Sequence, residues 1–182
     1  MSVRQIRTYP DPVLRGLSQR VPRITEAVCR LLDDMAETMY LNNGIGLAAP
    51  QVGEKLRLVV VDVQRGEKGN TLLKLINPRI VERQGKTKGE EGCLSLPDLL
   101  VEVDRAETVT VEAHLPDGTE TRIQAEGLLG ICLQHEIDHL DGVLLVDRLS
   151  SLRRSLYTRK RSKEEAKPLE ERAASRSSTP VL

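Results

Sequence analysis

The chain has 182 residues, room for one domain with a substantial core, and its 27 basic and 27 acidic side chains cancel. Net charge therefore gives no reason to expect nucleic acid or membrane as a partner, and three Tyr with no Phe and no Trp argue against base stacking. Three irregularly spaced cysteines do not form a disulfide framework, and no apolar targeting or membrane-spanning run is present, so a soluble protein of a reducing, cytoplasmic compartment is expected.

TYPDPVLRG, with two prolines, predicts an extended, turn-rich entry. From Ile24, ITEAVCRLLDDMAETMYL sets Val28, Leu31, Leu32, Met35 and Met39 at helical spacing behind a Thr25 N-cap, which predicts an amphipathic helix with Cys29 in its core. NNGIGLAAPQVG breaks that pattern. LRLVVVDV, residues 56–63, predicts a buried strand, RGEKGN a turn and LLKLINP a second strand. KTKGEEGCLSLP is expected to be irregular, with Cys93 at its middle. TVTVEAHL alternates apolar and polar residues and leads through PDG into TETRIQA, a hairpin with His114 on its solvated face. A second helix is expected from about Glu126 to Leu140, stopped by Asp141-Gly142, and a third after Ser150 through LRRSLYTRKRSK. PLEERAASRSSTPVL is polar and expected to be disordered. The expectation is one α+β domain over residues 1–165, mostly antiparallel, with a C-terminal helix and a polar tail over 166–182.

The second helix carries ICLQHEIDHLDG, which contains two of the three histidines. Residues four apart share a helix face, so His135 and His139 can point at one atom, as in a tetrahedral zinc or iron site. Glu136 lies about 100° round the wheel from His135, beside such an ion without needing to bind it, where a general base belongs. Cys132 shares the His135 face but lies about 10 Å along the axis from His139, too far for a shared ligand set. Together with Leu128 and Ile131 it is expected to line the pocket beside the metal. Cys29 sits inside an apolar face. Cys93 remains, in a loop where Gly92 lets the backbone turn, and one Cys with two His leaves an open, catalytic position.

GIGLAAPQ (44–51), EGCLS (91–95) and QHEIDH (134–139) resemble the three signature motifs of the peptide deformylase family, in its order and at similar separations. YPDPVLR and LINP resemble it too, so the likeness covers about residues 3–150. It implies a metal-dependent hydrolase that removes the formyl group from the N-terminal formylmethionine of nascent chains, with antiparallel sheets around a central helix bearing HExxH. It implies that Cys93, His135 and His139 bind the metal and that Glu136 handles the proton. Gln51 and the Leu94 backbone N–H would form an oxyanion hole, where fixed donors act strongly on developing charge. Gly46, with Ile45 beside it, would run along the substrate backbone, which a residue without Cβ allows to come close. The resemblance implies Fe²⁺, replaceable by Zn²⁺, Ni²⁺ or Co²⁺, although Cys/His₂ on softness alone suits Zn²⁺. Gly89 departs from the bulky apolar residue usual in the family there and is expected to leave the methionine pocket wider.

Three rival readings stand beside this one. A generic HExxH metallopeptidase would normally need a third His or Glu ligand downstream, and no His follows His139. A non-catalytic, metal-stabilised module could dock on the ribosome or its RNA through the basic segment Arg153–Lys163, which carries no acid. Cys93 could instead be a nucleophile paired with His135.

Overall fold

Every residue of Leu58–Val61 is buried, because both faces of this strand meet a helix. The computed structural model describes residues 2–65 and 71–166. The helix α1, Glu26–Leu41, is capped by the Thr25 side chain accepting from the Val28 N–H. It buries Leu32, Met35 and Met39 against Leu58, Val60 and Ile76. On the other face Val59 and Val61 join Leu75, Val109 and Val111 beneath Leu133, Ile137 and Leu140 of α2, Gly127–Leu140. Alternate side chains of one strand thus serve two cores, which is why LVVV reads as a continuous apolar run.

The main sheet has five strands in the order β1-β2-β3-β6-β7, all paired antiparallel. They are β1 Gly46–Ala48, β2 Leu58–Val61, β3 Leu73–Gln84, β6 Thr108–His114 and β7 Glu120–Glu126. The hairpin β6–β7 is the expected one, and His114 stands partly exposed, 3.7 Å from the Glu120 carboxylate. β3 runs on past Pro78, where the expected strand ended. The register with β6 shifts between Ile76 and Arg79, and Asn77 takes φ 55°, so the proline falls in a bulge where its missing donor costs no ladder bond.

The segment expected to be irregular contains a strand. β4, Thr87–Glu91, pairs with β5, Val101–Arg105, as a separate two-stranded sheet. TKGEE has no apolar residue to announce a strand; it is recruited by β5, whose Val101, Val103 and Arg105 are buried while Glu102 and Asp104 are exposed. Val101 and Val103 enter a third core with Cys93, Leu96, Leu144–Val146 and Tyr157. Tyr157 belongs to α3, Ser151–Glu165, whose Ser150 cap accepts from the Arg153 N–H. Cys29 is half-buried, not core: it lies at the edge of the α1 stripe with Sγ 3.8 Å from the Pro116 carbonyl. The RGEKGN turn from Gly66 onward and the tail from Lys167 lie outside the described residues. The architecture is α+β, with sheets and helices gathered around α2.

Candidate active site

α2 starts at Gly127 with φ 57°, directly out of β7, and is buried along most of its length. Gln134 holds it against the β5–β6 link, its carboxamide accepting from the Ala106 N–H and donating to the Ala106 carbonyl, both at 3.0 Å. So anchored, the helix brings His135 Nε2 and His139 Nε2 to 3.2 Å, and Cys93 Sγ stands 3.2 Å from His139 Nε2. These three ligand atoms lie within 4.8 Å of one another, all on buried residues.

The donor set fits a divalent cation. His135 Nδ1 lies 2.9 Å from Glu91 Oε2; donating its proton there leaves Nε2 as a lone pair facing His139 and Cys93. Two imidazole nitrogens and a thiol converging in this way form a Cys/His₂ set for zinc- or iron-type ions, with a coordination position left open. Burial lowers the pKa of His139, and the charges of His135 and Arg105 lower it further, which favours its neutral, ligating ring. For His135 burial pulls downward too, but its contacts with Cys93 and Glu91 outweigh that and raise it.

Sequence reasoning missed the group behind His135. Glu91 is fully buried and binds Arg105 through two hydrogen bonds, 2.7 Å to Nε and 2.8 Å to Nη2. Arg105 Nη1 reaches Asp138 at 2.6 Å, one helical turn beyond His135. Its partners hold the Glu91 carboxyl below the usual carboxylate range although burial alone would raise it. The signal was available: an acid opens EGCLS, and a metal-ligating histidine needs an acceptor for its other ring proton.

Glu136 is buried one residue on, and its carboxyl is raised to about 7, first by burial and then by the charges of Glu91 and Asp138, against the opposing pull of His135 and Arg105. Its Oε2 has no hydrogen-bond partner among the described residues. Gln51 is equally buried; its Oε1 accepts from the Ala48 N–H at 2.8 Å, which turns Nε2 toward Cys93 Sγ at 3.6 Å. Leu94 follows Cys93 in the same turn, and its N–H donates to no group among the described residues.

Ile45 and Gly46 lead into β1, which lies at the edge of the five-stranded sheet. A Cβ on Gly46 would overlap Glu136 Oε1 and lie 2.7 Å from Cys132 Sγ, so this strand passes directly over the carboxylate. Burial first, then Glu136, pushes the Cys132 thiol up, and Cys132 lies outside the group of three ligand atoms. Ile131 is half-buried and Leu128 is 46% exposed, so the face of α2 N-terminal to His135 opens outward. The gap expected at Gly89 is not empty: Ile131 Cδ1 lies 2.9 Å from where its Cβ would be.

A sequence model described as polypeptide deformylase matches residues 3–155. The chain belongs to the peptide deformylase family. A peptide deformylase of Syntrophobacter fumaroxidans is 51% identical over 164 residues, 90% of this chain and 96% of that protein. One of Thermodesulfovibrio yellowstonii is 48% identical over 88% of this chain and 97% of its own length. Among solved structures, a peptide deformylase from Legionella pneumophila superposes with a TM-score of 0.85 at 42% identity, over 97% of this chain and 100% of that one. That from Ehrlichia chaffeensis, in complex with actinonin, gives 0.86 at 39% identity, over 92% and 100%. Peptide deformylases hydrolyse the N-formyl group of nascent peptides in a metal-dependent reaction, and this chain is such an enzyme.

Proposed function

We propose that Cys93, His135 and His139 hold one divalent cation, Fe²⁺ in the working enzyme with Zn²⁺, Ni²⁺ or Co²⁺ as substitutes. The observation that carries this reading is the convergence of their three ligand atoms within 4.8 Å, on buried residues, beside a carboxylate raised to about 7. When bound, the cation supplies Lewis acidity toward water and the formyl oxygen. The chain's own groups do the rest. Glu136 takes a proton from the attacking water and delivers it to the departing amine as the formyl C–N bond breaks, releasing formate and a free N-terminus. A carboxyl near 7 can perform both transfers. Gln51 Nε2 and the Leu94 N–H donate to the formyl oxygen as it gains negative charge. Ile45 and Gly46 carry the peptide backbone along the open edge of β1, and Leu128, Ile131 and Cys132 wall the pocket for the methionine side chain.

The enzyme is further proposed to act in the cytoplasm as a single unit over residues 1–165, with Arg153–Lys163 docking on the ribosome where nascent chains emerge. No helix among the described residues is long and apolar enough to cross a membrane. Purification under anaerobic conditions should yield about one iron per chain and turnover of a formyl-Met peptide that a chelator abolishes and Fe²⁺ restores. Chelator-insensitive turnover would instead favour Cys93 as a nucleophile.

A further inference from the structure

We propose that Gly89 is a specificity-determining residue: it seats the Ile131 side chain against β4 and thereby sets how long a first side chain the substrate can carry. The inference rests on the reading above in which Ile131 walls the pocket for that side chain, and it deepens that reading.

A glycine inside a strand needs a reason, because it loses more chain entropy on folding than any other residue and packs nothing. Backbone conformation does not supply one here: Gly89 lacks the left-handed φ that Gly85 has at 66°. Nor is there a bulge, since Lys88, Gly89 and Glu90 pair in unbroken register with Asp104, Val103 and Glu102. What remains is space. A Cβ added to Gly89 would lie 2.9 Å from Ile131 Cδ1, and the next nearest atoms, Cγ2 at 3.8 Å and Cγ1 at 3.9 Å, also belong to Ile131. The isoleucine therefore lies over the bare strand, with its terminal methyl where a substituent of residue 89 would stand.

The position of this seat gives it consequence. Glu91, on the same face of β4, stands 2.9 Å from His135, and Gly89 meets Ile131, four residues before that histidine on α2. Two strand residues and four helix residues both advance about 6 Å, so strand and helix keep step toward the ligand group. On the next helix residue, Cys132 Sγ lies 2.7 Å from where a Cβ on Gly46 would be, which brings β1 over the helix from the other side. Ile131 and Cys132 thus floor the channel between β4 and β1, and the direction of the half-buried Ile131 side chain sets its width. Seated over Gly89, Cδ1 leaves the channel open. A methyl on residue 89 drives it toward β1, where an unbranched chain of methionine's length must lie. The atom that gives way is the end of a flexible side chain, so Gly89→Ala moves Ile131 and leaves β4 in place.

The test exchanges one methyl group between the two residues. Full-length, metal-loaded wild type is compared with Gly89→Ala, with Ile131→Val, which removes Cδ1, and with the double variant. Gly89→Ala should lower kcat/KM about tenfold for formyl-Met and formyl-norleucine peptides, while a formyl-Ala peptide, whose side chain ends short of Ile131, stays within about twofold of wild type. The double variant should recover formyl-Met turnover to within about threefold of wild type, because the added methyl then meets only atoms at ordinary contact distance. General destabilisation would not be relieved by a second truncation, so this recovery separates a specificity role from a structural one. Metal per chain should be the same in all four proteins. Equal losses on formyl-Met and formyl-Ala overturn the inference, as do metal loss in Gly89→Ala, which would mean that β4 moved instead, and absence of recovery in the double variant. Ile131→Ala separates the inference from the reading beneath it. An unchanged ratio of kcat/KM for formyl-Met and formyl-Phe peptides in that variant removes Ile131 from the pocket and overturns both. A changed ratio there, with an unaltered preference in Gly89→Ala, overturns the inference alone.

Discussion

At the scale of single residues, the site is built from groups whose neighbours leave them one useful state. Glu136 is buried without a cationic partner in contact, so its carboxyl rises to about 7, whereas Glu91, close by, is held ionised by Arg105. Two acids thus take different roles through environment alone. Glu136→Ala should retain the metal, because its carboxylate lies outside the group of three ligand atoms, yet lose on the order of 10²-fold or more in turnover. Metal analysis beside a formyl-Met peptide assay decides this, and metal loss would put Glu136 among the ligands. Gly46 offers a second test. Its missing Cβ is the space occupied by Glu136 Oε1, so Gly46→Ala must displace either β1 or the carboxylate. A shift of about 1 Å can cost roughly 10²-fold in rate, so kcat/KM should fall by that order while metal content and Tm stay close to wild type. Unchanged kcat/KM would mean that neither group needs its present position.

Elements matter here chiefly as the means of bringing Cys93 to α2. The turn bearing Cys93 follows β4, and β4 is held by β5 and by the Glu91–Arg105–Asp138 group, which ties the small sheet to α2. Arg105 and Glu91 are both buried, so removing the arginine strands a carboxylate in the interior. A broken buried pair costs about 3–5 kcal/mol. Arg105→Leu is accordingly expected to lose about that much in urea unfolding, and to bind metal less tightly because Glu91 no longer orients His135. A variant as stable as wild type would show that Glu91 takes up a proton at little cost.

For the whole molecule, attachment of the N-terminal segment should appear in the response to acid. The Ser2 N–H donates to Asp34 Oδ1 at 2.7 Å and Arg4 Nη2 lies 3.0 Å from Oδ2, joining the start of the chain to α1. Chiefly through the Ser2 N–H, and despite burial, the Asp34 carboxyl is held below its ordinary 3.8. A carboxyl lowered on folding stabilises above its unfolded pKa, and that contribution fades as pH falls through the folded value. Asp34→Asn should therefore be less stable than wild type at neutral pH, and the difference should close below about pH 4. Urea midpoints at several pH values measure the gap; one that persists undiminished at low pH would trace the stability to packing.

Periodicity and local chemistry were enough to determine α1, α2, α3 and the β6–β7 hairpin, because each depends on neighbours within a few positions. The i, i+4 spacing of His135 and His139 and the expectation that Cys132 lies too far along the axis to join them rest on the same kind of reasoning, since helix geometry is local. Cys93 was found as the remaining candidate, but nothing near it in sequence places it 3.2 Å from His139; that comes from contact between segments 46 residues apart. The strand β4 was illegible because TKGEE owes its form to β5, and β3 overran its proline because pairing with β6 accommodates a bulge. Glu91 joined His135, and Ile131 filled the space beside Gly89, only once the small sheet was folded onto α2. Hydrogen bonds and side-chain contacts between distant segments leave no periodic trace in either one, so tertiary structure alone decided them.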